Sequence, residues 1–121
     1  MSIGRLSDDF ILESFLDHLR SEFGLSEHTV NAYGSDIRAY LFYLKGLGLE
    51  PFRITVTELQ EFLTHDPSMS DRTCARRHST LKRYYRYLLR EKHIDNDPTL
   101  GLVGGRRRVS LPTSLAEADV S

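Results

Sequence analysis

The stretch that decides the fold is SDRTCARRHSTLKRYYRYLLREKH, residues 70–93. Ser70 has the side chain that most often begins a helix, and the cluster Asp95-Asn96-Asp97-Pro98 ends the segment. At about 100° per residue, five arginines and one serine share a face about 80° wide. These residues are Arg72, Arg76, Ser79, Arg83, Arg86 and Arg90. The pattern predicts a long helix with a basic face, here called the arginine face.

The opposite face of this helix is mostly apolar, which predicts that it packs against a core. Its residues are Cys74, His78, Leu81, Tyr85, Leu88 and Leu89. Like charges three or four residues apart destabilise an isolated helix by about 0.2–0.5 kcal/mol each, so an unneutralised arginine row calls for an explanation. A DNA or RNA phosphate backbone would offset the repulsion, and the planar guanidinium suits phosphates and guanine edges. The alternative is a solvated face whose arginines pair with acids on the first two helices.

Three more helices are predicted upstream of this segment. The first begins after Ser7 and ends at Gly24, and the second begins after Ser26 and ends near Gly46 and Gly48. The third covers residues 56–65, with Thr55 or Thr57 as its cap. The apolar stripes of the first two helices are Leu12, Phe15, Leu16, Leu19 and Phe23, and Val30, Tyr33, Ile37, Leu41 and Leu44. No stretch alternates in the manner of a strand, so the predicted fold class is all-α, a four-helix bundle.

Charge is divided unevenly along the 121 residues, although the net charge is -1. Residues 1–66 carry five basic and eleven acidic side chains, whereas residues 67–121 carry eleven basic and six acidic ones. This asymmetry predicts a local anion-binding face that the net charge of the whole chain hides.

Several classes of protein are disfavoured by composition. No apolar run is long enough to span a membrane, and the N-terminal residues lack a secretory pattern. A single cysteine, Cys74, excludes an internal disulfide and fits a reducing cytoplasm, which is the expected location. Cys74 and His78 have a spacing that two metal ligands could share, but no second pair accompanies them, so no metal is expected. His78 is instead expected to lie in the core.

The composition changes after Pro98, where glycines and a basic triplet replace the amphipathic pattern. We therefore divide the chain into a domain, residues 1–98, and a linker, residues 99–121. Arg106, Arg107 and Arg108 in the linker are expected to be mobile in the free domain and to become ordered along DNA.

Two segments resemble one protein family. GLSEHTVNAY at residues 24–33, with Asp36-Ile37-Arg38 after it, and CARRHSTLKRYYRYL at residues 74–88 are similar to the N-terminal core-binding domain of tyrosine recombinases of the phage-integrase and Xer type. Asn96-Asp97-Pro98, Gly101-Leu102 and Leu111-Pro112 resemble the segment that leads into the catalytic domain in that family. The resemblance covers roughly residues 8–112.

The resemblance implies a SAM-like bundle whose second and fourth helices face the major groove of double-stranded DNA. Together with the arginine face, it predicts DNA contacts from Ser26, Thr29, Tyr33, Arg38, Arg72, Arg76, Arg77, Ser79, Lys82, Arg83, Arg86, Arg106, Arg107 and Arg108. Cleavage by a tyrosine nucleophile would belong to a C-terminal domain, so no catalytic residue and no cofactor are expected in this chain. Other recombinase protomers are the expected protein partners, and the isolated domain is expected to be monomeric.

Two departures and two alternatives accompany this interpretation. Gly34 and Ser35 stand where relatives often have basic residues, and His78 stands where a leucine is common. The alternatives are a helical protein-interaction module that docks an acidic partner through Arg76 and its neighbours, and a helix-turn-helix regulator. A mobility shift with a random duplex at low salt separates a DNA-binding module from a protein scaffold.

Overall fold

The computed structural model describes residues 7–102, and helices account for most of that range. The four α-helices are α1 (Asp8–Phe23), α2 (Glu27–Leu47), α3 (Val56–Thr64) and α4 (Asp71–Arg90). Two short 3-10 helices, Pro51–Arg53 and Pro98–Gly101, follow α2 and α4. The described part of the chain contains no strand, so the prediction of an all-α four-helix fold is confirmed.

Hydroxyl side chains begin each α-helix. Ser7, Ser26 and Ser70 accept hydrogen bonds from backbone N–H groups of the first turns of α1, α2 and α4. At α3, Thr55 is the cap: its hydroxyl accepts from Glu58 N at 3.2 Å, and the Glu58 carboxylate accepts from Thr55 N at 3.0 Å. This reciprocal capping box decides between the two threonines that the sequence left open.

The end of α4 falls three residues before the expected His93. Lys92 takes a φ of 64°, in the left-handed region. Its N–H donates to Leu89 O at 3.1 Å, and the N–H of His93 donates to Leu88 O at 2.9 Å. These two bonds form a Schellman ending, which glycine usually provides. Because a lysine occupies the left-handed position, the sequence lacked the signal that marks this boundary.

The core lies where the four helices face one another. Its fully buried members come from all four helices, and the largest are Phe15, Tyr40, Phe62, Tyr84 and Tyr85. The buried side of α4 is wider than predicted because α1 covers part of it. The ring of Phe15 in α1 lies 5.3 Å from Tyr84 and 5.6 Å from Tyr87 between centroids.

Three residues assigned to apolar faces are less buried than expected. Phe23 is 53 % exposed and Leu89 is 37 % exposed, while Leu41 is half-buried at the edge of the core. Helical angle alone placed all three inward. Phe23 is the last residue of α1, and Leu89 lies in the last turn of α4.

Packing continues beyond residue 98, where the linker was expected to begin. The 3-10 helix Pro98–Gly101 lies against α3 and α4, and Thr99 within it is buried. A Cβ added at Gly101 would come within 3.3 Å of Val56, so the backbone approaches α3 closely there. Within residues 7–102, no helix is long and apolar enough to cross a membrane.

We expect Leu81→Ala to lower the free energy of unfolding by about 2–5 kcal/mol, because Leu81 is 1 % exposed and its removal leaves a cavity in the core. Leu41→Ala should cost less, since Leu41 is only half-buried. Urea unfolding followed by circular dichroism measures both. Leu100→Ala, at a side chain that is 80 % exposed, is the matched control and should change the value by less than about 0.5 kcal/mol. Equal costs for Leu81 and Leu41 would contradict this packing.

Candidate nucleic-acid interface

A buried carboxylate joins α2 to the arginine face of α4. Asp36 of α2 is 2 % exposed, and both of its oxygens accept hydrogen bonds from Arg76 of α4. Arg76 Nη2 donates to Oδ1 at 2.7 Å and Arg76 Nε donates to Oδ2 at 2.9 Å. These bonds raise the pKa of Arg76 above its ordinary value, although burial opposes the shift. The pair is bidentate and charge-assisted, the stronger kind of side-chain hydrogen bond.

Two further α4 side chains, Arg77 and Thr80, donate hydrogen bonds to the carboxylate of Asp36. Arg77 Nε donates to Oδ1 at 3.3 Å, and Thr80 Oγ1 lies 3.0 Å from Oδ2 and 2.9 Å from Arg76 O. Each carboxylate oxygen therefore has two partners, which removes the cost of burying unpaired lone pairs. We call Asp36, Arg76, Arg77 and Thr80 the Asp36 cluster.

The cluster corrects the expectation of an unneutralised arginine row. One carboxylate faces two guanidinium groups, so the cluster keeps a net charge of +1. Arg77 also packs over the Phe62 ring, with its Cζ 5.5 Å from the centroid, and its side chain is 21 % exposed. Among the predicted DNA contacts, Arg77 is therefore more buried than Arg76, whose side chain is 41 % exposed. Its contacts with Asp36 and Phe62 give Arg77 a role in packing.

Sequence reasoning missed Asp36 as a member of the site. Tyr33 and Tyr40 lie three and four residues from it, on the same face of α2. An acidic residue inside an apolar stripe signals a buried carboxylate that must find cationic partners. That signal was present in the sequence, and its partner on α4 was decided by the packing of the two helices.

Arg83 lies in the middle of the arginine face and contacts two aromatic rings. Its Cζ is 4.8 Å from the centroid of Phe23 and 6.0 Å from that of Tyr33. Both distances are within the range of a cation–π contact. The predicted contact residues Arg83 and Tyr33 are thus brought together, with the exposed Phe23 beside them.

The outer arginines of α4 are the most accessible cations of the face. Arg72 and Arg86 are exposed and make no ion pair with any residue in the range 7–102. Arg90 is 59 % exposed and lies 4.0 Å from Glu91. Arg83, Arg86 and Arg90 together line a small cleft of about 90 Å³ between α1 and α4. Arg72 and Arg86 therefore offer charge that no acid among residues 7–102 pairs with.

The predicted contact residues of α2 have partners within the protein. Ser26 Oγ accepts from Thr29 N at 3.2 Å and lies 3.1 Å from Thr29 Oγ1, so both hydroxyls take part in the helix cap. Arg38 Nη2 pairs with Glu13 of α1 at 3.1 Å, where both side chains remain mostly exposed. DNA contacts from these residues stay a prediction, with capping and pairing as roles that they already have.

Gly34 has a packing role. A Cβ at this position would lie 3.2 Å from Leu16 Cδ1 of α1 and 3.1 Å from Arg38 Nη1. The absence of a side chain allows α1 and α2 to approach closely at this point. Packing thus accounts for a glycine where the family resemblance led us to expect a basic residue.

The remaining predicted residues divide into two groups. Ser79 is exposed and Lys82 is half-buried on α4, and their contact with DNA stays a prediction. Arg106, Arg107 and Arg108 lie outside the described residues.

His78 is partly buried, and burial lowers its pKa, with Lys82 adding to the shift. Among residues 7–102, no group of three potential metal ligands comes together.

Two tyrosines of α2 and α4, Tyr40 and Tyr85, lie in the bundle interior. Tyr85 donates from its hydroxyl to Pro51 O at 2.7 Å, and Tyr40 lies 2.6 Å from Tyr85 between hydroxyl oxygens. Burial raises the pKa of both tyrosines above the ordinary value. A nucleophile needs an accessible oxygen and a lowered pKa, and these groups have the reverse.

Charge is separated across the bundle. The residues of α4 include seven basic side chains and one acidic one, a net charge of +6. The residues of α1 include five acids and one arginine, a net charge of -4. Such a dipolar arrangement favours the approach of a polyanion from the α4 side.

The arrangement defines a class of protein, a small helical bundle with a basic, arginine-lined face. A family model for the N-terminal SAM-like domain of phage integrase matches residues 12–92, from within α1 to just beyond α4. The chain belongs to that family.

Curated relatives agree with this assignment. Tyrosine recombinase XerD of Shewanella oneidensis is 33 % identical over 114 residues, which cover 93 % of this chain and 38 % of that protein. Tyrosine recombinase XerC of Azotobacter vinelandii is 35 % identical over 107 residues, which cover 86 % of this chain and 36 % of that protein. The chain thus spans little more than a third of the length of these relatives.

A solved structure supports the fold independently. An integrase from mycobacterium phage Brujita superposes with a TM-score of 0.68 and 19 % identity, over 87 % of this chain and 35 % of that one. At this identity the comparison shows the SAM-like fold alone.

Replacing Asp36 by alanine should lower the free energy of unfolding by about 2–3 kcal/mol, because hydrogen bonds from charged donors are lost and two neighbouring guanidinium groups remain. The cost stays below that of a fully buried pair, since Arg76 is 41 % exposed and water can reach it. Thermal and urea unfolding measure the change. Glu13→Ala, at the exposed Arg38 pair, is the control and should cost at most about 1 kcal/mol. Equal costs for the two variants would contradict the role given to the Asp36 cluster.

Proposed function

We propose that this chain is the DNA-binding N-terminal domain of a site-specific tyrosine recombinase or integrase. It would bind duplex DNA at a recombination half-site through α2 and α4, while strand cleavage and exchange would be carried out by a C-terminal domain. Membership of the phage integrase N-terminal SAM-like family supports the assignment to a recombinase. Double-stranded DNA and other recombinase protomers are the proposed partners, in the cytoplasm.

The observation that carries the proposal is the accessible charge on α4. Arg72, Arg86 and Arg90 are exposed, and the Asp36 cluster adds a further net positive charge. The face extends from Arg72 to Arg90, about 27 Å at 1.5 Å per residue. A duplex carries one phosphate charge per ~1.7 Å of axis, so a face of this length can meet several phosphates at once.

An acidic protein partner is the alternative that the same charge allows. The arginines are regularly spaced along the single helix α4, and this regular spacing suits the evenly spaced phosphates of DNA better than the irregular surface of an acidic protein. The salt dependence of binding separates the two, since release of condensed counterions is a property of nucleic acids.

We expect the chain to bind a fluorescein-labelled random duplex with a Kd near the ~10⁻⁴–10⁻⁶ M range of nonspecific contact at physiological salt. The logarithm of affinity should fall linearly with the logarithm of salt concentration. Arg86→Ala and Arg83→Ala should each weaken binding to all sequences and reduce the slope by about one unit, as expected for the loss of one phosphate contact. Fluorescence anisotropy over a salt series measures both quantities.

Lys45→Ala is the matched control for these variants. Lys45 is an exposed cation of α2 that lines a separate groove with Asp8, Asp9 and Glu50, away from the residues of α4. This variant should leave the salt slope unchanged. If Arg83, Arg86 and Lys45 variants all gave the wild-type slope, the arginine face would not be the DNA-binding surface.

The isolated chain should form no covalent adduct with DNA. Tyr84 and Tyr85 are fully buried and Tyr87 is 9 % exposed, and a row of arginines on an outer face does not enclose one scissile phosphate. A nicked suicide duplex, incubated with the chain and analysed by denaturing electrophoresis, tests this expectation. An adduct that disappears on Tyr87→Phe, at the most exposed of the three, would show that the chain has cleavage activity of its own.

A further inference from the structure

We infer that Arg76, held by Asp36, makes a base-specific contact to a guanine in the major groove, and that Asp36 acts as its positioning residue. The inference rests on the proposed DNA-binding function. It assigns different roles to arginines that the sequence pattern treats as equivalent: Arg76 would contact a base, whereas Arg86 would contact phosphate.

The geometry of the pair leaves one edge of the Arg76 guanidinium available. Nε and Nη2 donate to the two oxygens of Asp36, which uses the side edge of the planar group. Nη1 makes no hydrogen bond within residues 7–102, and Nη2 retains a second hydrogen. These two nitrogens form the end edge, with two parallel N–H groups. The Arg76 side chain is 41 % exposed and that of Asp36 is 2 % exposed. Solvent therefore reaches the pair at Arg76 and not at Asp36.

Two parallel donors match the two acceptors that guanine presents in the major groove, N7 and O6. A phosphate can be met by a cation in many orientations, whereas a base edge requires a guanidinium in one plane and at one distance. Asp36 fixes that plane through two bonds, and Thr80 and Arg77 hold the carboxylate in turn. The rotamer freedom of a long side chain is therefore already lost before DNA binds, which lowers the cost of a directed contact.

Arg86 provides the contrast within the same helix. It is exposed and has no ion-pair partner among the described residues, so no carboxylate fixes the plane of its guanidinium. A group of this kind suits phosphate, where charge matters more than orientation. Because Arg76 and Arg86 belong to the same predicted face, lysine substitutions at the two positions form a matched pair.

The test uses the full chain and a pool of duplexes with a randomised central segment. Bound duplexes are recovered at low salt and sequenced for the wild type, Arg76→Lys and Arg86→Lys, and each variant is first shown by thermal unfolding to be folded. The wild type should enrich a G·C pair at one position by roughly 5- to 150-fold, the range of a bidentate arginine–guanine contact. Arg76→Lys keeps the charge but loses the fork, so the enrichment should disappear while affinity for the unselected pool and the salt slope persist. Arg86→Lys should keep the enrichment.

Asp36→Asn adds a readout that a merely structural role would not produce. The amide has a similar shape but cannot accept both bonds as a carboxylate does, so the guanine enrichment should fall. Removal of a negative charge beside the DNA should at the same time hold or raise affinity for the unselected pool. A purely structural role for Asp36 would instead lower both quantities together.

The other possible results would each overturn either the proposed DNA-binding function or the role assigned to Arg76. If the wild type recovers no duplex at low salt, the proposed DNA-binding function fails. If it recovers duplexes without enriching any base, or if Arg76→Lys keeps the guanine enrichment, the assignment of Arg76 is overturned while DNA binding stands.

Discussion

The structure depends on a carboxylate buried between two helices. Transfer of Asp36 from water into the α2–α4 contact costs several kcal/mol unless its oxygens are fully paired. Four hydrogen bonds from Arg76, Arg77 and Thr80 meet that requirement, and all four come from α4. The relative position of the two helices is therefore tied to the orientation of two arginines. A shift of α4 along α2 would leave the charge unpaired, which makes this contact a constraint on register as well as a source of stability.

The same cluster changes how the charge of α4 should be interpreted. Arginines at equivalent helical angles differ in what they touch: Arg76 pairs with a carboxylate, Arg83 lies over the Phe23 and Tyr33 rings, and Arg86 is exposed. Counting basic residues treats these groups as equal, whereas in the fold a carboxylate fixes the plane of Arg76 and no carboxylate among the described residues pairs with Arg86. The distinction matters for DNA recognition, because orientation governs contacts to bases and charge governs contacts to phosphates.

Much of the secondary structure could be predicted because its signals are local. The hydroxyl caps Ser7, Ser26 and Ser70 and the glycine endings depend on a few neighbouring residues, and the structure confirms them. Burial at the margins was less predictable. Phe23 and Leu89 lie on faces that are apolar by angle, yet both are exposed at the C-terminal ends of α1 and α4. The buried width of α4 depends on α1, whose Phe15 contacts Tyr84 and Tyr87, and helical periodicity contains no information about a second packing partner.

The sequence by itself determined the all-α class, the caps that begin α1, α2 and α4, the basic face of α4 and the resemblance to the integrase family, since each rests on residue types at short spacing. The tertiary structure alone decided which cations stay accessible. Asp36 and Arg76 are forty positions apart, and no periodicity relates them. They meet because burial of the apolar faces of α2 and α4 also buries Asp36, where an unpaired charge would be too costly to keep, and brings polar side chains of α4 within hydrogen-bond distance of it.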